Sequence, residues 1–459
     1  MSLKYACEWN EAGGYYELTK GVKVPVRLFL SPKLFADSEE EIFRQIVAAT
    51  EFPGVQDVVI TPDVHTGYVV PVGCVMATNG TLCQAPVGFD IGCGMLAFKS
   101  TVSKGKGFEE KLRKRFSERV IETVGMGAGK GSGRQFTAKR FEEVVRTGAA
   151  ALSGDKQRRQ NSEREFIPVS DQWDVPLTPF NRGIGQLGSL GGGNHFIEVQ
   201  HDQNDHLWVM VHTGSRGFGH GLATHYIAEG KAYLKSQGVD VRGGAEAVYF
   251  EPDSPLYEGY RNAVAAGANF AIANRLLIWE SVGDVFEKVF GQEPELVYEI
   301  SHNLVQEEIA PTVPHANGAT GKAWIHRKGA TRAFPAGHPM LEGTQWEATG
   351  HPILIPGSMG DNSYVLFAEP GAAKSLYSVN HGCGRRLSRS AAKRQFSQSD
   401  VNTQMKKLNV MVNAGGNVPI DESPDCYKSA KDVIGTVVKA GLARVAYTLT
   451  PIASLKGTD

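Results

Sequence analysis

Four histidines in this sequence stand at the ends of β-like runs or inside glycine turns, where imidazoles can converge on one cleft and backbone can approach a ligand. His212 closes LWVMVH, His302 closes LVYEISH, His195 follows the glycine run GGGN, and His381 lies in SVNHGCGRR. Asp90 and Cys93, in FDIGCGM, add a carboxylate and a thiolate that Gly92 and Gly94 free to aim at one point. A thiolate can bridge two cations, so imidazole, carboxylate and thiolate together describe a dinuclear metal centre. Any one of these histidines taken alone is an ordinary turn or core residue. A mononuclear structural zinc wants several cysteines close in sequence, and this chain lacks them.

Two other motifs carry less than they promise. GMGAGKGSG over Gly125 to Gly133 looks like a phosphate loop, but Gly125 and Gly129 are one residue too close and Gly131, not Ser or Thr, follows Lys130,. The Lys-x-Asp-Gly signature of ligases that nucleotidylate a lysine is also absent. The cysteines Cys7, Cys74, Cys83, Cys93, Cys383 and Cys426 are scattered, which reads as thiols in a reducing compartment,.

The elements that must position these residues are legible as hydrophobic patterns. DVVI, VVPVGCVMA, LWVMV, LVYEI, ILIP and YVLF are short, β-branched and bounded by turn formers, which predicts strands,. Ser38 and Glu41 have capping-box spacing and predict a helix over about 38–50; the Ala-rich segment from Ser254 to Phe290 predicts a long one,. Mixed α and β with several sheets follows, and with no repeat and no firm linker residues 1–459 are expected to form a single catalytic domain,. With 48 Lys plus Arg against 49 Asp plus Glu the net charge is -1, so any polyanion site must be a local patch,. One candidate is the basic segment 104–164, which reads either as solvated helical faces or as an RNA-contacting surface,. No apolar run approaches the roughly 18 residues of a membrane span, so a soluble cytoplasmic protein without a membrane partner is expected.

Ordered blocks make the reading specific. TPDVHTGYVVPVG from Thr61, VGFDIGCGM from Val87, LGSLGGGNHFIEV from Leu187, VHTGSRGFGH from Val211, SHNLV from Ser301, HRKGATRAFPAG from His326, IPGSMGDNSYVL from Ile355, NHGCGRRLSR from Asn380 and the C-terminal LKG resemble the RtcB RNA ligases. The resemblance implies an α/β fold around a deep metal cleft. It implies ligation of RNA ends carrying a 3'-phosphate or 2',3'-cyclic phosphate to 5'-hydroxyl ends, with GTP and two Mn2+ ions. It makes His381 the guanylylated residue and Asp90, Cys93, His195, His212 and His302 the metal ligands. Nucleotide contacts map onto Asn194, His195, Phe196, Glu198, His302, Asn303, Pro356, Gly357, Ser358, Met359, Ser363, His381, Gly382, Cys383, Gly384 and Lys456. Asn194 and Arg385 join His381 as catalytic groups, Arg385 meeting phosphate with its fork, while Glu198 and Lys456 would select guanine over adenine.

The donor set alone favours zinc; the resemblance implies manganese. Asn380 and Cys383 stand where the family commonly has Ser and Ala, and Tyr68-Val69-Val70 replaces a stretch that more often carries glycine or lysine, which bears on RNA-end specificity. Asp63 and His65 belong near the cleft in the same reading, and His65, His326 and Arg327 are equally compatible with structural roles. His201, His206, His220, His225, His315, His338 and His351 read as ordinary surface or core residues. Two other function classes fit parts of the pattern. One is a dinuclear phosphodiesterase or phosphatase using His381 as an acid, which would not need the guanine pocket or the HGxGR turn. The other is an RNA-binding module with a structural metal, which leaves the converging side chains unexplained. An accessory activator is compatible with the sequence.

Overall fold

The computed structural model describes residues 3–152, 167–239, 247–310 and 321–457. The β-branched runs all form strands, distributed over two large sheets. One has the order Glu8–Asn10, Tyr15–Leu18, Val26–Leu28, Val55–Tyr68, Val70–Thr78, Lys322–Lys328 and Asn303–Ile309. The other runs Glu295–Ser301, Gly94–Ser103, His206–Thr213, Phe196–His201, Ala443–Lys456, Ser363–Ala368 and Pro352–Ile355, with Met411–Val412 joining it in parallel beside Ala443–Lys456. A short ladder of Ala330–Arg332 and Ser378–Asn380 leads into His381. The fold is the mixed α/β arrangement that the patterning predicts.

The long helix is Tyr257–Phe290, and it is buried on nearly every face, as its continuous Ala, Ile, Leu and Phe content requires,. Two of its buried polar side chains, Asn274 and Arg275, point at the loops of the site. Asn274 Oδ1 accepts the N–H groups of Gly188 and Ser189 at 2.6 and 3.0 Å, and its amide donates to the carbonyls of Ser189 and Gly214 at 3.0 and 3.1 Å. Arg275, fully buried, pairs with Glu299 and donates to the carbonyls of Gly92 at 2.7 Å and Thr213 at 3.0 Å. A buried guanidinium is tolerated only when its donors are met, and here they fix three chain segments at once.

Two local expectations change. The early helix spans Glu40–Thr50 and is not capped by Ser38, whose hydroxyl donates instead to Leu34 O at 2.8 Å, closing the preceding short helix Pro32–Ala36. In the basic segment the described helices are Lys104–Phe108, Glu110–Thr123 and Ala138–Thr147, and several of their cations are met locally: Lys114 by Glu118, Arg140 by Glu143, Arg146 by Glu142. Arg113 is buried, donating to the carbonyls of Asn409 and Ile452. Arg158, Arg159 and Arg164 lie outside the described residues, as does His315. Among the described residues no helix is long and apolar enough to cross a membrane.

Candidate metal and nucleotide site

Sheet register brings the ligands together. Gly94 pairs with Ser301 on one side and Thr213 on the other, and Phe196 pairs with His212. In antiparallel neighbours the start of one strand meets the end of the next. Cys93 just before Gly94, His302 just after Ser301, His212 one residue before Thr213, and His195 just before Phe196 therefore share one end of the sheet. Two triads result, Cys93 with His212 and His302, and Cys93 with Asp90 and His195, each with its donor atoms within 4.8 Å of one another. Cys93 belongs to both. Its Sγ lies 3.3 Å from His212 Nε2 and 3.6 Å from His195 Nε2, while His212 Nε2 is 3.3 Å from His302 Nε2.

The groups behind the ligands suit a cation. The Nδ1 atoms of His195 and His212 face the carbonyls of Leu190 at 3.0 Å and Asn194 at 3.2 Å, which fixes both Nε2 lone pairs toward Cys93,. Burial holds His212 and His302 well below the usual imidazole range, so both stay neutral and able to ligate. Burial also opposes ionisation of Asp90, but the hydrogen bond and charge of His195 and the Ser215 N–H outweigh it and hold the carboxyl at about 2. Burial pushes the Cys93 thiol well up, and a bound cation is what stabilises a thiolate in such a place,. The residues fit a metal site: Cys93, His212 and His302 would hold a cation, as would Asp90, Cys93 and His195.

His381 stands beside this centre, its ring 4.8 Å from that of His302 between centroids. Its Nδ1 is 2.6 Å from Asp63 Oδ2, which also accepts the backbone N–H groups of His381 at 3.1 Å and Gly382 at 3.3 Å. Thr61 supports the other oxygen of this fully buried carboxylate at 2.6 Å. With Nδ1 engaged, Nε2 is the nitrogen left for the cleft. Gly384 lets the turn come this close: a Cβ there would sit 2.0 Å from Asp63 O, and its φ is +76°. Asp63 thus has a role that the sequence left open, and His65 lines the same space.

Beyond His381 lies a narrow pocket of about 90 Å³ walled by Phe196, Glu198, the Pro356–Met359 turn, Cys383 and Lys456. Phe196, Glu198 and Gln200 share one strand face, and Ser454 and Lys456 pair across from Glu198 and Phe196,. Gln200 donates to Glu198 at 2.7 Å and to Ser363 Oγ at 2.8 Å, and Ser363 Oγ accepts the Gly357 N–H at 3.0 Å. Burial raises Glu198 to about 7 against the opposing pull of Gln200 and Lys456. Asn303 and His302 line the neighbouring cavity rather than this pocket, Asn303 Oδ1 accepting the Gly329 N–H at 2.8 Å.

Glu422 and Tyr427 also line this pocket and carried no signal in the sequence. Glu422 receives Lys456 at 2.8 Å, Arg389 at 2.9 Å and the Tyr427 hydroxyl at 2.7 Å. Arg385 lines this pocket and the groove beside it, with its fork already donating to Asp421 O at 2.6 Å, to Leu387 O and Tyr427 OH at 3.0 Å, and to Glu422 at 3.4 Å. Lys456 is likewise paired rather than free. His326 accepts the Cys83 N–H at 2.9 Å and Arg327 forms a two-point pair with Glu308, and neither lines the two cavities beside His381. The glycine loop at 125–133 explains itself by packing: Gly127 N–H donates to Gly191 O at 2.8 Å, and a Cβ on Gly125 would lie 1.7 Å from Gly131 O.

The sheet end thus holds a thiol shared by two possible ligand sets, beside a carboxylate-anchored histidine and a lined pocket. The family model described as tRNA-splicing ligase RtcB matches residues 45–457. The chain is 33% identical to a protein named tRNA-splicing ligase RtcB from Aeropyrum pernix, over 87% of this chain and 88% of that one. It is 32% identical to the protein of that name from Nanoarchaeum equitans, covering 95% and 96%, and to the RNA-splicing ligase RtcB of Mycobacterium bovis, covering 90% and 100%. The chain belongs to the RtcB family.

Proposed function

We propose that this chain is a GTP- and manganese-dependent RNA ligase that joins 3'-phosphate or 2',3'-cyclic phosphate ends to 5'-hydroxyl ends, with tRNA halves among its substrates. The observation that carries the reading is the sharing of Cys93 by two ligand triads next to a histidine whose Nδ1 is anchored on Asp63. Asp90, Cys93, His195, His212 and His302 would hold two divalent ions, which when bound supply Lewis acidity against charge building on phosphoryl oxygens.

The chain's own residues define the rest. His381 Nε2 attacks the α-phosphorus of GTP; a P–N bond forms and the bond to pyrophosphate breaks. Asp63 keeps Nδ1 protonated and offsets the positive charge that the ring gains on substitution. A 2',3'-cyclic end is first opened by water to a 3'-phosphate. An oxygen of that phosphate then attacks the same phosphorus, the P–N bond breaks, and GMP passes to the RNA. The 5'-hydroxyl oxygen attacks the activated 3'-phosphorus, GMP leaves, and the phosphodiester is closed. Glu198 is the acceptor for guanine N1–H and the exocyclic amine, with Gln200 setting its orientation and Lys456 facing O6. The Lys456 ammonium spends one donor on Glu422 and has others to offer O6,. Incubation with radiolabelled GTP and Mn2+ followed by denaturing electrophoresis tests the proposal. It predicts acid-labile label on the protein, lost in His381→Ala, and an unlabelled protein would contradict it.

A further inference from the structure

Tyr68 stands 65% exposed on the rim of the cleft, yet its backbone is pinned on both sides. The amide of Gln45 grips Gly67 just before it, donating to Gly67 O at 2.8 Å and accepting its N–H at 2.9 Å. Lys328 Nζ donates to Tyr68 O at 2.9 Å and Val70 O at 3.1 Å. Between those carbonyls Val69 has a φ of +58°, left-handed backbone that a β-branched residue rarely adopts,. The turn tucks Val69 against the neighbouring core and throws Tyr68 outward. Strain of this kind persists where surrounding structure enforces it, and here it displays an aromatic ring in a fixed position rather than burying it.

The ring has company. Phe89 meets it edge-on, 6.0 Å between centroids at 87°, and is itself backed by His220 at 5.2 Å and 24°. Tyr68 and Phe89 wall the mouth of a cavity of about 300 Å³ that reaches down to Asp90, Cys93, His302 and His381. Resting on the ligase reading above, we propose that Tyr68 and Phe89 form a stacking slot for the terminal nucleobase of the RNA end that carries the 3'-phosphate. That end has to bring its phosphorus to His381 and the metal ligands, and this cavity is lined by His381 together with Asp90, Cys93 and His302. Tyr68 also lines a groove of about 1070 Å³ that holds no metal ligand and mixes Arg385, Arg386 and Lys428 with the acids Asp37, Glu39 and Asp432, which leaves a separate path for the 5'-hydroxyl strand. Every base has a π-face, so such a slot fixes the terminal nucleotide without selecting its identity.

The test compares the full-length protein with Tyr68→Ala, Tyr68→Leu and Tyr68→Phe in joining RNA strands that are intact, abasic at the 3'-phosphate nucleotide, or abasic at the 5'-hydroxyl nucleotide. On intact RNA, Tyr68→Ala and Tyr68→Leu should lower kcat/KM by about 5- to 100-fold, the range expected from loss of one base–aromatic stack, while Tyr68→Phe stays near wild type. Removing the 3'-terminal base should cost the wild type a similar factor and cost Tyr68→Ala nothing more, a coupling that a purely structural role for the turn would not produce. Ligation by Tyr68→Ala at the wild-type rate, independent penalties for protein and RNA changes, or coupling with the 5'-terminal base alone would each overturn the slot. Covalent labelling by GTP is measured on every sample. If the wild type takes no label, the ligase reading itself fails; if label forms normally but no coupling is seen, only the slot fails; and if Tyr68→Ala loses its label, the effect is not confined to RNA and the slot is again refuted.

Discussion

Asp63→Asn isolates one charge beside the nucleophile. In the native site three N–H groups converge on Asp63 Oδ2, from His381 Nδ1 at 2.6 Å and from the backbones of His381 and Gly382. The carboxylate is fully buried, so solvent screens none of this. Asparagine keeps the shape and can still accept through oxygen, but it cannot balance the positive charge that the imidazole gains when Nε2 bonds to phosphorus. A charge-assisted hydrogen bond contributes about 1.5–3 kcal/mol against about 0.5–1.5 for a neutral one. The difference of about 1–2 kcal/mol slows guanylylation about 5- to 30-fold. Asp63→Ala is more severe, because it orphans three donors at about 1–3 kcal/mol each and frees the ring, so the rate falls by about a thousandfold or more and the melting temperature drops. The assay is single-turnover labelling with GTP, with bound metal measured on the same samples. Wild-type labelling by Asp63→Asn, or equal losses for Asn and Ala, would refute the charge argument.

Three further outcomes follow from the same site. Glu198 should give GTP binding a pH dependence: burial holds it at about 7, so the carboxylate that guanine needs is lost as pH falls below that value, and affinity should drop up to about tenfold per unit,. The effect on stability has the opposite sign, since between its ordinary 4.5 and about 7 the folded state keeps a proton that the unfolded chain releases; the free protein loses stability as pH rises through that window, which calorimetry checks. Arg275→Met breaks a fully buried pair with Glu299, at about 3–5 kcal/mol, and removes the donors that hold Gly92 and Thr213; thermal melts should show the loss, and metal content should fall although no ligand has changed,. RNA affinity should weaken steeply between low and moderate salt despite the net charge of -1, because the groove cations act locally; an affinity independent of salt in a binding titration would contradict this,.

Much of the scaffold was legible because strand signals are local. DVVI, LWVMV, LVYEI and YVLF were recognisable from β-branched residues between turn formers, and the helix ending at Phe290 from its Ala-rich run. The convergence of Asp90, Cys93, His195, His212 and His302 was anticipated because each sits at a strand edge or glycine turn. What escaped was partnership across the chain. Asp63 and His381 are 318 residues apart, and nothing near either one names the other. Glu422 draws Lys456 and Arg389 from two other segments and Tyr427 from its own, and its setting in DESPDCY reads as an ordinary loop. Arg275 did leave a trace: one arginine inside NFAIANRLLIW is a charge in a helix too apolar to expose, and such a charge needs a partner,. Ser38 failed as a cap because its hydroxyl had a nearer acceptor in the preceding turn, a competition invisible to spacing alone.

The central claim is that metal holding and covalent catalysis are divided between Cys93 and His381. Metal content and GTP labelling, measured together on wild type, Cys93→Ala and His381→Ala, address it most directly. Cys93 is the one donor common to both triads, so Cys93→Ala should lose bound metal and label together,. His381→Ala keeps all five ligands and should retain wild-type metal while taking no label, yet still seal RNA that already carries a guanylylated 3' end. Metal lost from His381→Ala, or label gained by it, would contradict the account.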